Sequence, residues 1–261
     1  MIDKVYVTCS KDYEDKWISQ QAVSDLWGVP PSKLVRYPFK LENRQIPADI
    51  CDIAQLMVDD GFEGYRWFYD QKEKFYESIE VTKQGTLPVE LAKSWTLISL
   101  LREVVERGES AIVMTDSVYL YEYSFNQVNQ WLSLSDINGI ALSHPHNFRE
   151  NPDLITELEL EPTASADLWT NFSDNCGCGY VFSAEGAKVF LDAWLLYPQT
   201  LFPGLLPVYK TDNERPLPGF CISLLPITYP LKHRDSPLSM SSKVITYSKD
   251  RLSVPNIDKG A

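Results

Sequence analysis

A chain of 261 residues with a hydrophobic fraction of 44%, 12% aromatics and only 12 glycines can bury a sizeable core and is neither disordered nor repetitive. Its formal net charge of −12 and isoelectric point of about 4.7 make a surface that repels polyphosphates, which disfavours non-specific binding to nucleic acid and to anionic membranes. The opening MIDKVYVTCS has no basic leader before an apolar stretch, and no apolar run approaches the ~20 residues of a membrane span; a cytoplasmic protein with no membrane span and reduced cysteines is expected.

Lys4 to Thr8 reads as a strand around the apolar core Val5, Tyr6 and Val7. Thr8, Cys9, Ser10 and Lys11 form a small polar turn into a helix expected around Tyr13 to Trp27. A strand, a polar turn and a helix start make an anion site, because backbone N–H groups and small side chains there can approach a phosphate or ribose closely. Thr8 and Ser10 are the candidates; Lys11 and Lys16 are either anion contacts or solvated surface lysines. Gly28, Pro30 and Pro31 break the helix, and Leu34 to Phe39 is a second strand, parallel to the first across the helical crossover. Pro47 suits the first position of a helix through about Asp60, with Ile50, Ile53, Ala54 and Met57 on one face. Tyr65, Phe68, Tyr69, Phe75, Tyr76 and Ile79 recur at helical spacing, and so many rings on one face indicate packing more than a sugar platform. Residues 46–87 therefore read as a helical insertion capping the sheet.

Leu91 to Arg107 is apolar on most faces and ends at Gly108, as a helix packed under a sheet should. Ala111 to Met114 follows as a buried strand, with Thr115, Asp116 and Ser117 at its tip. Ligands of open α/β sheets bind beyond the carboxyl ends of the strands, so Asp116 is a candidate binding residue; a turn or helix-cap role competes. Asn138 to Phe148 reads as a short strand ending in a polar loop that carries His144 and His146. Residues 151–166 read as a surface excursion or lid. Asp167, Trp169, Asp174 and Asn175 form either a sugar platform with hydroxyl-holding groups or a buried Trp among turn residues. Cys176 and Cys178 lack the paired CxxC units of a structural zinc site. Gly179 to Phe182 leads to Ser183 as a helix N-cap, and Ala187, Phe190, Leu191, Trp194 and Leu195 mark the buried face of that helix. The Pro-rich residues 198–261 hold short strands and loops, with one basic cluster at Lys232, His233 and Arg234, either a solvated turn or a cationic arm for phosphate.

Taken together, KVYVTCS (Lys4 to Ser10), LAKSWTLISLLREVV (Leu91 to Val105), IVMTDSV (Ile112 to Val118), GYVFSAEGAKVFLDAW (Gly179 to Trp194) and LKHRDSPLSMSS (Leu231 to Ser242) resemble, in order and rough spacing, segments of glycosyltransferase family 25, which includes lipooligosaccharide and procollagen galactosyltransferases. The family's acidic cluster reads Thr115-Asp116-Ser117 here. The resemblance implies an α/β fold, a single Rossmann-like GT-A-type domain with a mainly parallel central sheet flanked by helices. It implies transfer of a sugar from a nucleoside diphosphate donor to a glycan or protein hydroxyl. Thr8, Ser10, Lys11, Lys16, Asp116, Lys232 and Arg234 would then hold the donor, and Asp174, Asp167 or His144 would take the acceptor proton. Asp116 would be the metal residue, with Mn²⁺ or Mg²⁺ bound weakly unless the nucleotide supplies further oxygens. Two other readings stay open: a catalytically silent nucleotide-, glycan- or protein-binding relative, and a viral-type transferase acting on modified DNA bases.

Overall fold

The computed structural model describes residues 1–12, 14–24, 27–42, 45–66, 87–116, 118–120, 124–134, 136–142, 161–163, 165, 167–170, 179–196, 219–223 and 228–230. Its first unit is β1 (Lys4–Cys9), α1 (Glu14–Ser24), a 3₁₀ turn at Pro31–Lys33 and β2 (Leu34–Pro38). β1 runs one residue further than the strand expected, so Thr8 and Cys9 belong to the sheet and the turn begins at Ser10. Next come α2 (Ile50–Asp59), a 3₁₀ turn at Glu63–Arg66, α3 (Leu87–Arg107) and β3 (Ala111–Thr115). α2 starts at Ile50 instead of Pro47 because the Asp49 side chain accepts the Cys51 N–H at 2.9 Å and caps the helix there. Gly108, at φ 64°, takes the left-handed turn that stops α3, while Glu109 N donates to Val104 O at 3.1 Å. β4 (Val118–Leu120) and α4 (Ser124–Trp131) follow, neither of them evident in the sequence pattern. β5 (Gly139–Leu142), β6 (Glu161–Pro162), β7 (Leu168–Thr170), β8 (Gly179–Phe182), α5 (Ala184–Leu196), β9 (Phe220–Ser223) and β10 (Thr228–Pro230) complete the described chain.

These strands form an eight-stranded sheet in the order β2-β1-β3-β8-β5-β9-β7-β6 and a small β10-β4 ribbon. The fold is α/β, with a mixed sheet flanked by helices, which corrects the expectation of a mainly parallel one. β1 is parallel to β2 and β3, and β5 to β9, but β8 runs antiparallel to both β3 and β5, and β7 antiparallel to β9 and β6. The register explains the reversal. Leu142, the last residue of β5, pairs with Gly179, the first of β8, so β8 begins at the edge where β5 ends and runs back along it.

Alternation along the strands divides the core into two layers. Tyr6, Val113, Ala141, Tyr180, Phe182 and Phe220 face α2, α3 and α5 in one buried cluster. Val5, Val7, Cys9, Ile112, Met114, Ile140, Leu142 and Val181 face the other way, with Trp27, Phe125, Val128 and Trp131, and Trp17 of α1 packs there. Of the aromatic stripe, Tyr65 is fully buried, in agreement with a packing role, while 67–86 lie outside the described residues. No helix among the described residues is long and apolar enough to cross a membrane. Cys9 and Cys221 are buried and Cys51 is half-buried; Cys176 and Cys178 lie outside the described residues.

Asp60, at the C-cap of α2, ties that helix to α3. Its carboxylate accepts from Trp95 Nε1 at 2.8 Å, Lys40 Nζ at 3.0 Å and Arg102 Nη2 at 3.1 Å, and its carbonyl from Arg102 Nη1 at 2.7 Å. Burial alone would raise its pKa, but the bonds from Trp95, Lys40 and Arg102 outweigh that and hold it below the ordinary 3.8. A carboxyl depressed in the folded state stabilises the fold above its unfolded pKa and stops doing so as pH falls through the folded value. Asp60→Asn is expected to cost about 1–3 kcal/mol near neutral pH. In urea unfolding followed from about pH 7 to about pH 2, the gap between wild type and variant should close below the ordinary 3.8. A constant gap would mean that the charge on Asp60 is not what holds the helices together.

Candidate functional site

The chain passes from β1 to β2 on one side and then crosses to β3 on the other, so the strand order reverses at β1. In an open α/β sheet this reversal leaves a crevice between the carboxyl ends of the two strands, because their crossover helices go to opposite faces. Thr8 pairs with Thr115 across it, and Asp116 N donates to Thr8 O at 3.0 Å. Thr8, Ser10 and Asp116 are 5%, 2% and 7% exposed and meet at this one edge, as expected from two parallel strands.

Asp116 follows Met114 on the face toward α1. Its main chain is held by Gln20, a fully buried α1 residue whose Nε2 donates to Asp116 O at 3.3 Å and Val118 O at 2.9 Å. Its carboxylate is 3.4 Å from the ammonium of Lys16, one turn earlier on α1. Burial first, and then the Asp116 charge, push the Cys9 thiol up to about 11, so Cys9 stays a protonated packing residue near neutral pH.

The β1–α1 turn is closed by the chain itself. The Ser10 hydroxyl donates to Glu42, Lys11 N donates to Glu42 Oε1 at 2.9 Å, and Ser10 Oγ accepts from Asp12 N at 3.0 Å. Glu42 thus lies where a ligand anion was expected, against an N–H and a hydroxyl of the turn. Arg36 on β2 pairs with Glu14 and donates from Nη2 to Ser10 O at 2.6 Å. Thr8 Oγ1 points the other way, donating to Met114 O at 3.3 Å, and so fastens β1 to β3. The Lys11 residue is exposed at the mouth. Glu42, Arg36, Glu14 and Gln20 were missed from the sequence. The signal for Glu42 was its place just after β2, whose carboxyl end lies at the same edge.

Asp167 immediately precedes β7, whose Leu168 pairs with Ser223 at the end of β9, so it stands at this same edge. Counting β3-β8-β5-β9-β7, it is about 19 Å along the sheet from Asp116 at ~4.8 Å per strand. Trp169 packs against the buried cluster of α2, α3 and α5, which favours its structural role over a sugar platform. Asp174, His144, Lys232 and Arg234 lie outside the described residues, as do His146 and Asn175. Pro230, two positions before Lys232, pairs with Val118, two positions after Asp116.

As a metal site the arrangement fits poorly. Mg²⁺ and Mn²⁺ need several oxygens, while the Asp116 carboxylate already meets an ammonium, the Glu42 carboxylate is taken by Ser10 and Lys11, and Thr115 adds no carboxylate. Among the described residues no three His, Cys, Asp or Glu side chains gather as a metal group. Comparison of the chain with protein-family models gives no match, and neither does comparison with curated proteins.

Proposed function

We propose that the chain is a nucleotide-sugar-dependent glycosyltransferase of GT-A-like design, moving a sugar from a nucleoside diphosphate donor to a glycan or protein hydroxyl. One observation carries this reading: a buried carboxylate and a partly exposed ammonium, Asp116 and Lys16, stand together at the strand-order reversal, where α/β sheets bind nucleotides. A carboxylate there accepts from ribose hydroxyls, and an ammonium meets phosphate. The resemblance of the ordered segments from KVYVTCS to LKHRDSPLSMSS supports the same class.

In the reaction, the bond between the sugar's anomeric carbon and the donor phosphate oxygen breaks. A bond from the acceptor oxygen to that carbon forms, and the acceptor proton passes to a carboxylate or His. The departing diphosphate gains negative charge that must be met by cations held at the cleft. Lys16 and Lys11 supply charge from the α1 side. The segment carrying Lys232 and Arg234 follows Pro230, whose partner Val118 is close to Asp116 in the chain, and is the candidate for the opposite side. Asp174, Asp167 and His144 are the candidates for the base, Asp167 standing about 19 Å along the same edge from Asp116.

The test is incubation with a panel of nucleoside diphosphate sugars, following sugar release, alongside calorimetry with the diphosphates. One donor should bind and be hydrolysed slowly without acceptor, and Asp116→Asn should weaken its binding roughly 10- to 100-fold. Binding without any hydrolysis, even with acceptor glycans, would leave a silent nucleotide-binding relative. Binding of no nucleotide would sink the reading.

A further inference from the structure

Lys16 and Asp116 form a neutral pair, and a diphosphate docked beside that pair unchanged would gain little, since the attraction of one charge is cancelled by the other. A change of partners would resolve this. We propose that Lys16 is the cation that meets the donor's diphosphate while Asp116 receives the ribose hydroxyls, so that the nucleotide is held without a divalent metal ion; this rests on the nucleotide-sugar reading above.

The two groups differ in freedom in the way such an exchange needs. Asp116 is tethered through its own N–H to Thr8 O at 3.0 Å and through Gln20 to both its own carbonyl and that of Val118, and its side chain is 10% exposed. It is a fixed acceptor at the floor. Lys16 stands on the first turns of α1 with its side chain 23% exposed, and its ammonium rides on a flexible four-carbon stem. It is the more exposed of the two charges, on the longer and more flexible side chain. Neutral ribose hydroxyls can replace the ammonium on the carboxylate with charge-assisted hydrogen bonds, so Asp116 is not stranded unpaired when Lys16 swings to phosphate. The ribose then spaces the carboxylate from the phosphates. A divalent ion on Asp116 would have to displace the same Lys16 ammonium, 3.4 Å from that carboxylate, which already supplies a cation for the diphosphate.

Calorimetry decides this, with uridine, guanosine, cytidine and adenosine diphosphates and their 2′-deoxy and 3′-deoxy forms, each in EDTA and in Mn²⁺. Wild type is expected to bind its diphosphate equally well in both buffers and to prefer the ribose form. Lys16→Gln should weaken the diphosphate roughly 10- to 100-fold and keep the ribose preference. Lys16→Arg, which keeps the charge, should recover part of the affinity. Asp116→Asn should erase the ribose preference. Binding that requires Mn²⁺ overturns the proposal and leaves the transferase reading intact. So does an Lys16→Gln variant that melts like wild type and binds equally well, or a ribose preference that survives Asp116→Asn. If Lys16→Gln does not fold, the EDTA arm and Lys16→Arg still decide. Absence of binding for every diphosphate in both buffers sinks the nucleotide reading itself and this proposal with it.

Discussion

Phe182→Ala is expected to cost about 3–5 kcal/mol of stability, the range for deleting a buried ring from a core that cannot collapse around the gap. Phe182 is 1% exposed and ends β8, paired with Ala111 of β3 on one side and Gly139 of β5 on the other. The ring meets Phe190 of α5 at 5.0 Å between centroids, and Tyr180 and Phe220 at 6.2 and 6.5 Å. Alanine would leave a void walled by aromatic side chains on two strands and a helix. The melting temperature should fall by on the order of 10 °C. A double-mutant cycle with Phe190→Ala should return a coupling of about 0.5–1.5 kcal/mol, since those rings lie edge to face at 71°. Phe182 lies at the sheet edge opposite the Asp116 crevice, so nucleotide binding by the folded fraction should be unchanged. A loss below about 1 kcal/mol in urea unfolding would mean that the surrounding rings close the gap.

Gly186→Ala is expected to be nearly as damaging, through crowding in place of a cavity. A Cβ on Gly186 would sit 1.7 Å from Asn138 O and 2.5 Å from its carbonyl carbon. These are main-chain atoms, and the same carbonyl accepts Ser183 N at 2.9 Å and Ser183 Oγ at 3.2 Å, so it cannot swing away without breaking the start of α5. Ser183 Oγ also accepts Gly186 N at 2.9 Å, the N-cap bond that begins the helix. Relief requires α5 to lift from β5, at about 3 kcal/mol or more. Because the obstacle is backbone, Asn138→Ala should not rescue Gly186→Ala in thermal or urea unfolding. A rescue would locate the crowding in the Asn138 side chain instead.

Elements with a strong local signal were legible in the sequence. Val5 to Val7 and Ala111 to Met114 are continuous apolar runs because both faces of these strands are covered, one by α1 and α4 and the other by α2, α3 and α5. Gly108 and Ser183 announced a helix end and a helix start because capping is chemistry among residues a few positions apart. Asp116 stood out as the first charge after a buried run, and the convergence of Thr8, Ser10 and Asp116 follows once β1 and β3 are parallel neighbours.

Tertiary structure alone decided the rest. Nothing local in Gly179 to Phe182 tells whether the strand runs up or down; its direction is set by β8 starting beside Leu142, where a reversed strand fits between β3 and β5. The partners of the cleft are equally non-local. Glu42 reaches Lys11 across 31 positions, Arg36 reaches Ser10 across 26, and Gln20 reaches Asp116 across 96. Capping, turns and periodicity act over a few residues, so a sequence displays them directly. Which carboxylate closes a turn, and which ammonium meets Asp116, depends on how the layers stack and in what register the strands pair. That choice belongs to the whole core, and no short stretch of sequence contains it.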